Sequence, residues 1–145
     1  MLHPGVLMFI CGRHIETRVM AAITEAGFGD ITLAQARIAA RISPSGTRPT
    51  ELAEAAQVTK QTAGFLVDQL ERAGYVERVP DPADARAKLV RFAPRGEAVV
   101  ACARRVEAEV EREWQAHLGR DAYLAMQSAL NSLRELTDPF VEGPG

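Results

Sequence analysis

Thr59-Lys60-Gln61-Thr62-Ala63-Gly64-Phe65-Leu66-Val67-Asp68-Gln69-Leu70-Glu71-Arg72-Ala73-Gly74 and the later run Asp81-Pro82-Ala83-Asp84-Ala85-Arg86-Ala87-Lys88-Leu89-Val90 decide the fold. The first stretch opens on a hydroxyl cap, Thr59, and stops at Gly74, so its spacing predicts a short helix. Ala63, Leu66, Val67 and Leu70 recur at i, i+3, i+4 and i+7 and form its buried face. Lys60, Gln61, Thr62, Phe65 and Gln69 are left for the outer and flanking faces. Tyr75-Val76 and Leu89-Val90 are short apolar runs on either side of a charged loop. Pro80 to Ala85 carries two prolines and two aspartates, which predicts an exposed turn and not a strand.

Upstream, Arg48-Pro49-Thr50 introduces another short helix, with Thr50 as its expected cap and Glu51-Leu52-Ala53-Glu54-Ala55-Ala56 as strong helix formers. Val58 closes the turn into the next helix. Earlier still, a long helical pattern runs from Val6 to about Ala26, and a second from Thr32 to Ile42, capped by Thr32 or Asp30. Downstream, Pro94-Arg95-Gly96 starts a long helix reaching about His117 or Leu118, with Val99, Cys102, Val106, Val110, Trp114 and Leu118 as one stripe. Gly119 breaks it, and Asp121 is the expected cap of a sixth helix. There Tyr123, Met126, Leu130, Leu133, Thr137 and Phe140 approach a heptad seam. Asp138-Pro139 ends this helix, and the tail beyond is expected to be loose. A helix with small polar residues at its N-terminus, followed by a hairpin with a basic tip, is the physical description of a winged helix-turn-helix. The expected fold is mainly α, with a small β-hairpin wing and a helical dimerisation region. It divides into residues 1–30, 31–95 and 96–145, all within one intertwined domain.

A chain of 145 residues with 47% apolar content suffices for one packed domain. The net charge of -2 announces no global attraction to nucleic acid. The distribution says more. From Thr59 to Arg95 seven Lys and Arg face five acids, whereas from Gly96 onward five Arg face nine. The positive excess therefore lies on the expected reading head. Cys11 and Cys102 are too few and too far apart for a disulfide scaffold, and both read as small buried hydrophobes in helices. Neither a signal peptide nor an apolar run of about eighteen residues is present, so no membrane association and a cytoplasmic location are expected. His3, His14 and His117 have no metal-ligand spacing, and no nucleophile–base pair or phosphate loop is visible. No metal, cofactor or enzymatic activity is expected.

The wing Asp81-Pro82-x-Asp84-x-Arg86-x-Lys88-x-Val90, the helix-opening Gly96 and the order Glu51-Leu52-Ala53, Thr59-Lys60-Gln61-Thr62, Gly74-Tyr75-Val76 resemble the MarR family of winged-helix regulators. The resemblance covers nearly the whole chain. It implies a homodimer built by the first, fifth and sixth helices, and binding to a pseudo-palindromic operator in double-stranded DNA. It also implies that the fourth helix reads the major groove, that Arg86 enters the minor groove, and that Asp84 holds its guanidinium. The chain departs from the family pattern at Gly64, Phe65, Ala85 and Ala93. Base readout therefore rests on few side chains, with more weight on shape and phosphate contacts.

The expected DNA-binding set is Thr50, Thr59, Lys60, Gln61, Thr62, Gly64, Phe65, Asp84, Arg86 and Lys88. Lys60 and Lys88 are expected on phosphates, Gln61 and Thr62 on bases. Phe65 either packs against the wing or touches a thymine methyl. The resemblance also implies a small aromatic or amphipathic effector where the dimer helices meet the head. Phe9, Arg13, His14, Arg37 and Cys102 are the residues this chain offers for it. The competing reading pairs Arg13 and Arg37 with Glu16 or Glu25. The function expected is a DNA-binding transcriptional regulator, acting as a repressor. Two alternatives stand beside it: a winged-helix module that binds protein and no longer reads DNA, and a redox sensor based on Cys11.

Overall fold

The computed structural model describes residues 1–138 and 140. Its elements run α1 (Pro4–Glu25), α2 (Leu33–Ala39), α3 (Pro49–Ala55), α4 (Lys60–Arg72), β1 (Val76–Asp81), β2 (Asp84–Phe92), α5 (Pro94–Leu118) and α6 (Arg120–Thr137). The architecture is the expected one, mainly helical with one antiparallel hairpin. The chain separates into two compact units. One comprises Met1–Ile31 and Val99–Met126, the other Thr32–Ala98 and Gln127–Gly145.

The second unit holds the helix-turn-helix and the wing. Thr32 caps α2 reciprocally: its Oγ1 accepts from the Gln35 N–H and its own N–H donates to Gln35 Oε1, each at 3.1 Å. Gln35 Nε2 then donates to Gln69 Oε1 at 3.0 Å, fastening α2 to α4. α3 begins differently from expectation. Arg48 is its N-cap and Pro49 its first residue, so Thr50 lies inside the first turn and caps nothing. Proline's fixed φ suits the first helical position, where a missing N–H costs nothing. The turn between α3 and α4 is made by Gln57 at φ 57, with Val58 N–H donating to Ala53 O at 3.0 Å. Thr59 caps α4 as expected, accepting from the Thr62 N–H at 3.0 Å. The predicted face of Ala63, Leu66, Val67 and Leu70 is buried. With Ile38, Ile42, Leu52, Tyr75, Val76 and Val90 it forms this unit's core.

The hairpin corrects the expected loop. β1 runs through Pro80 to Asp81 and β2 starts at Asp84, so only Pro82 and Ala83 connect them. Pro80 is tolerated because the sheet has two strands and the register shifts at Pro80/Asp81. Thr47 adds a bridge to Val90 on the other edge of β2. Gly96 matters at the start of α5: a Cβ there would overlap the Tyr75 carbonyl oxygen, so only glycine lets the helix pass this close to the strand. Arg95 seals the same corner. Its guanidinium lies 4.2 Å from the Tyr75 ring centroid and donates to Ala73 O at 2.6 Å.

In the first unit, α1 starts at Pro4 under a His3 cap, and only Ile23 of its residues is buried. Cys102, Val106, Val110 and Tyr123 are buried there too. Arg18 reaches Glu113 at 2.6 Å and Glu109 at 3.7 Å. The two cysteines part company: both are free thiols, but Cys11 is exposed and only Cys102 is buried. Cys11 lies in the half of α1 that buries none of its apolar side chains, so the expectation of burial fails. Phe140 is a half-buried turn residue, not part of α6. Pro139 and the tail expected to be loose lie outside the described residues.

Candidate nucleic-acid interface

The interface begins at the turn of the wing, where β1 ends. Asp81 is only 9% exposed and acts as a double acceptor. Its Oδ1 accepts from the Ala83 N–H at 2.9 Å, which fixes the tight connection. Its Oδ2 accepts from Arg48 Nε at 2.9 Å and Nη2 at 2.8 Å. These donors hold the Asp81 carboxyl below its ordinary pKa, the Ala83 N–H first and Arg48 second, against the burial that works to raise it. The same pairing raises Arg48. Arg48, the residue that leads into α3, thereby fastens the wing to the helix-turn-helix. Sequence reading missed this clamp. The partners are far apart in the chain, and no local pattern links them.

Further along the hairpin, Arg91 and Glu77 are directly paired across the strands, at 2.7 Å. Arg78 Nη2 reaches Asp68 at 2.7 Å and Arg78 Nη1 reaches Glu71 at 2.8 Å. Two acids of α4 are thus tied to the strand behind it.

On the other side of the turn, the start of β2 is built differently. Asp84 Oδ1 accepts from the Arg86 backbone N–H at 3.0 Å, while the Arg86 guanidinium stands 4.0 Å from the same oxygen. The Arg86 side chain is 97% exposed. Asp84 therefore orders the backbone that carries Arg86 and leaves its head group in solvent. Lys88 is exposed on the same strand, and among the described residues it enters no ion pair.

The helix completes the surface. Thr59, Lys60, Gln61 and Thr62 are all exposed at the α4 N-terminus. Thr59 Oγ1 also donates to Thr62 Oγ1 at 2.9 Å, so the two hydroxyls engage each other. Thr50, Thr59, Lys60 and Thr62 border one open depression of about 940 Å³ between α3 and α4, which Glu51 and Glu54 also line. Gly64 is half-buried with open space beside it. Phe65 is 59% exposed and does not bury itself against the wing.

The residues expected for an effector lie on three helices, α1, α2 and α5. Phe9, Arg13 and His14 are exposed on α1 and Arg37 is exposed on α2. Cys102 is buried on α5, where its sulfur accepts from Arg105 Nη2 at 3.4 Å. Among the described residues, no cluster of His, Cys, Asp and Glu could hold a metal. None of the described helices is long and apolar enough to cross a membrane.

Residues 29–87, which span the helix-turn-helix and most of the wing, match the MarR family. The chain is 35% identical over 83 residues to the transcriptional regulator HosA of Escherichia coli O111:H-, covering 57% of this chain and 62% of HosA. It is 28% identical to the transcriptional regulator Tm0710 of Thermotoga maritima, whose crystal structure superposes with a TM-score of 0.60 over 91% of each chain. A mutant of MepR from S. aureus, solved bound to an oligodeoxyribonucleotide, shares the fold with a TM-score of 0.58 at 19% identity, over 95% of this chain and all of that one. With a helix-turn-helix, a clamped wing and these likenesses together, the chain is similar to the MarR family of transcriptional regulators, whose model its residues 29–87 match.

Proposed function

We propose that the protein is a sequence-specific DNA-binding regulator that represses transcription as a homodimer. One observation carries the reading: a solvent-exposed guanidinium, Arg86, rides on a hairpin whose turn is fixed by a nearly buried carboxylate. A cation carried on a hairpin with a clamped turn and left open to solvent is suited to a narrow minor groove, where the negative potential is strongest. The exposed Lys60, Gln61 and Thr62 at the start of α4 suit the major groove beside it. In this reading Lys60 and Lys88 meet phosphates, and Gln61 and Thr62 meet base edges. MepR's structure with an oligodeoxyribonucleotide supports the same use of the fold.

The dimer is inferred from surface chemistry. Leu130 and Leu133 are each 41% exposed on α6, and Val6, Leu7, Phe9 and Ile10 are exposed on α1. Apolar side chains repeated along a helix in this way call for a partner, and a second copy supplies it by two-fold symmetry. Two copies present two recognition helices, which must match half-sites about 34 Å apart. Release by a small aromatic acid is the regulatory half of the proposal, and Arg13 and Arg37 are its candidate carboxylate partners. Calorimetry with a panel of aromatic acids on Arg13→Ala and Arg37→Ala tests it; unaltered affinity in both removes these residues.

The DNA reading is tested by selection. The purified protein is incubated with a random duplex library, and bound DNA is amplified over several rounds. The expected result is enrichment of one pseudo-palindromic sequence. A library that stays random overturns the reading.

A further inference from the structure

The exposed face of α4 carries one large apolar side chain. Phe65 is 59% exposed, while Leu66, Val67 and Leu70 on the same helix are buried. It stands three residues after Thr62 and four after Gln61, so the three side chains are neighbours on one face. Beside it Gly64 offers no side chain, and a Cβ there would meet nothing within 4 Å. The ring is therefore approachable from the side as well as from above. The next residue along this face is acidic, yet Asp68 is paired with Arg78 at 2.7 Å, which offsets part of the charge that would repel a polyanion. An aromatic ring on a DNA-reading face meets few apolar groups. In the major groove the apolar group on offer is the C5-methyl of thymine.

We propose that Phe65 makes α4 a reader of a pyrimidine 5-methyl group, so that one thymine in each half-site is recognised through its methyl. This rests on the DNA reading proposed above. The hydrogen-bonding edge of that base pair is left unread by Phe65, which has neither donor nor acceptor. The specificity at that position is consequently for the methyl and not for the base pair. 5-Methylcytosine there should bind better than cytosine.

The test uses the duplex enriched by selection, resynthesised with deoxyuridine in place of thymine one position at a time. The expected result is one position per half-site at which uracil weakens binding about fourfold, the worth of burying one methyl-sized group. Phe65→Ala is expected to bind thymine and uracil duplexes alike there, and it folds because the side chain is exposed. The same position synthesised with cytosine and with 5-methylcytosine should reproduce the preference in the wild type alone. The inference is overturned if uracil is tolerated at every thymine, or if Phe65→Ala keeps the wild-type preference. If no duplex is enriched at all, the DNA reading itself fails and takes this inference with it. Enrichment followed by indifference to the methyl overturns only the role of Phe65.

Discussion

The α4–wing surface and the open faces of α1 and α6 are both exposed, yet they are made of opposite materials. Around α4 and the wing, solvent meets Lys60, Gln61, Thr62, Arg86 and Lys88, with Phe65 the lone large apolar group. On α1 solvent meets Val6, Leu7, Met8, Phe9 and Ile10, and on α6 Leu124, Leu130, Leu133 and Leu136. The first surface suits a hydrated polyanion, whose binding weakens with salt. The second suits another apolar surface, whose association hardly responds to salt. The two interfaces proposed for this chain should therefore separate experimentally by their dependence on ionic strength.

The largest expected effect breaks the apolar side. Leu133→Asp or Leu130→Asp sets a charge in the proposed dimer seam. It should yield monomers by sedimentation and, by losing the second half-site, cut operator affinity about 10²- to 10⁴-fold. A variant that stays dimeric places the interface elsewhere. Next, Arg86→Ala should weaken operator binding by about 1–3 kcal/mol and leave the dimer intact. Unchanged affinity removes Arg86 from the groove.

A smaller effect is expected at the turn of the wing. Arg48→Ala frees Asp81 and should loosen the hairpin, read as faster amide exchange at Ala83 together with a several-fold loss of operator affinity. Its pH dependence has a defined sign. Asp81's folded pKa lies below the ordinary 3.8, so the clamp's contribution is fully present above about pH 5 and fades as pH falls through and below 4. Asp81 should therefore add no pH dependence to operator affinity between about pH 5 and 8. The smallest effect is at the lysines. Lys60→Ala and Lys88→Ala should each make the slope of log affinity against log salt shallower by roughly one, with no change in sequence preference.

Particular elements show what the sequence made legible. The buried face of α4 follows from its spacing alone, because a 3.6-residue period leaves one stripe for the core. Gly74 and Gly119 were readable as helix stops, and both adopt positive φ. The strands at Pro80 and Asp84 were not readable, because local turn chemistry outweighed a pairing that spans the hairpin. The tie between Arg48 and Asp81 could not be read either, since nothing local distinguishes these charges from solvated ones. The same holds for Arg78, whose two acidic partners lie in the preceding helix. Long-range charge pairs and cross-strand contacts are set by the folded chain, whereas caps, glycine stops and periodicity are set within a few residues.

The most direct measurement is a salt titration of binding to the selected duplex and to a scrambled duplex of equal length, followed by fluorescence anisotropy. A steep loss of affinity with salt is expected on both. A clear preference for the selected duplex is expected at every salt concentration, and it should survive in Lys88→Ala. Equal affinity for the two duplexes throughout would contradict it.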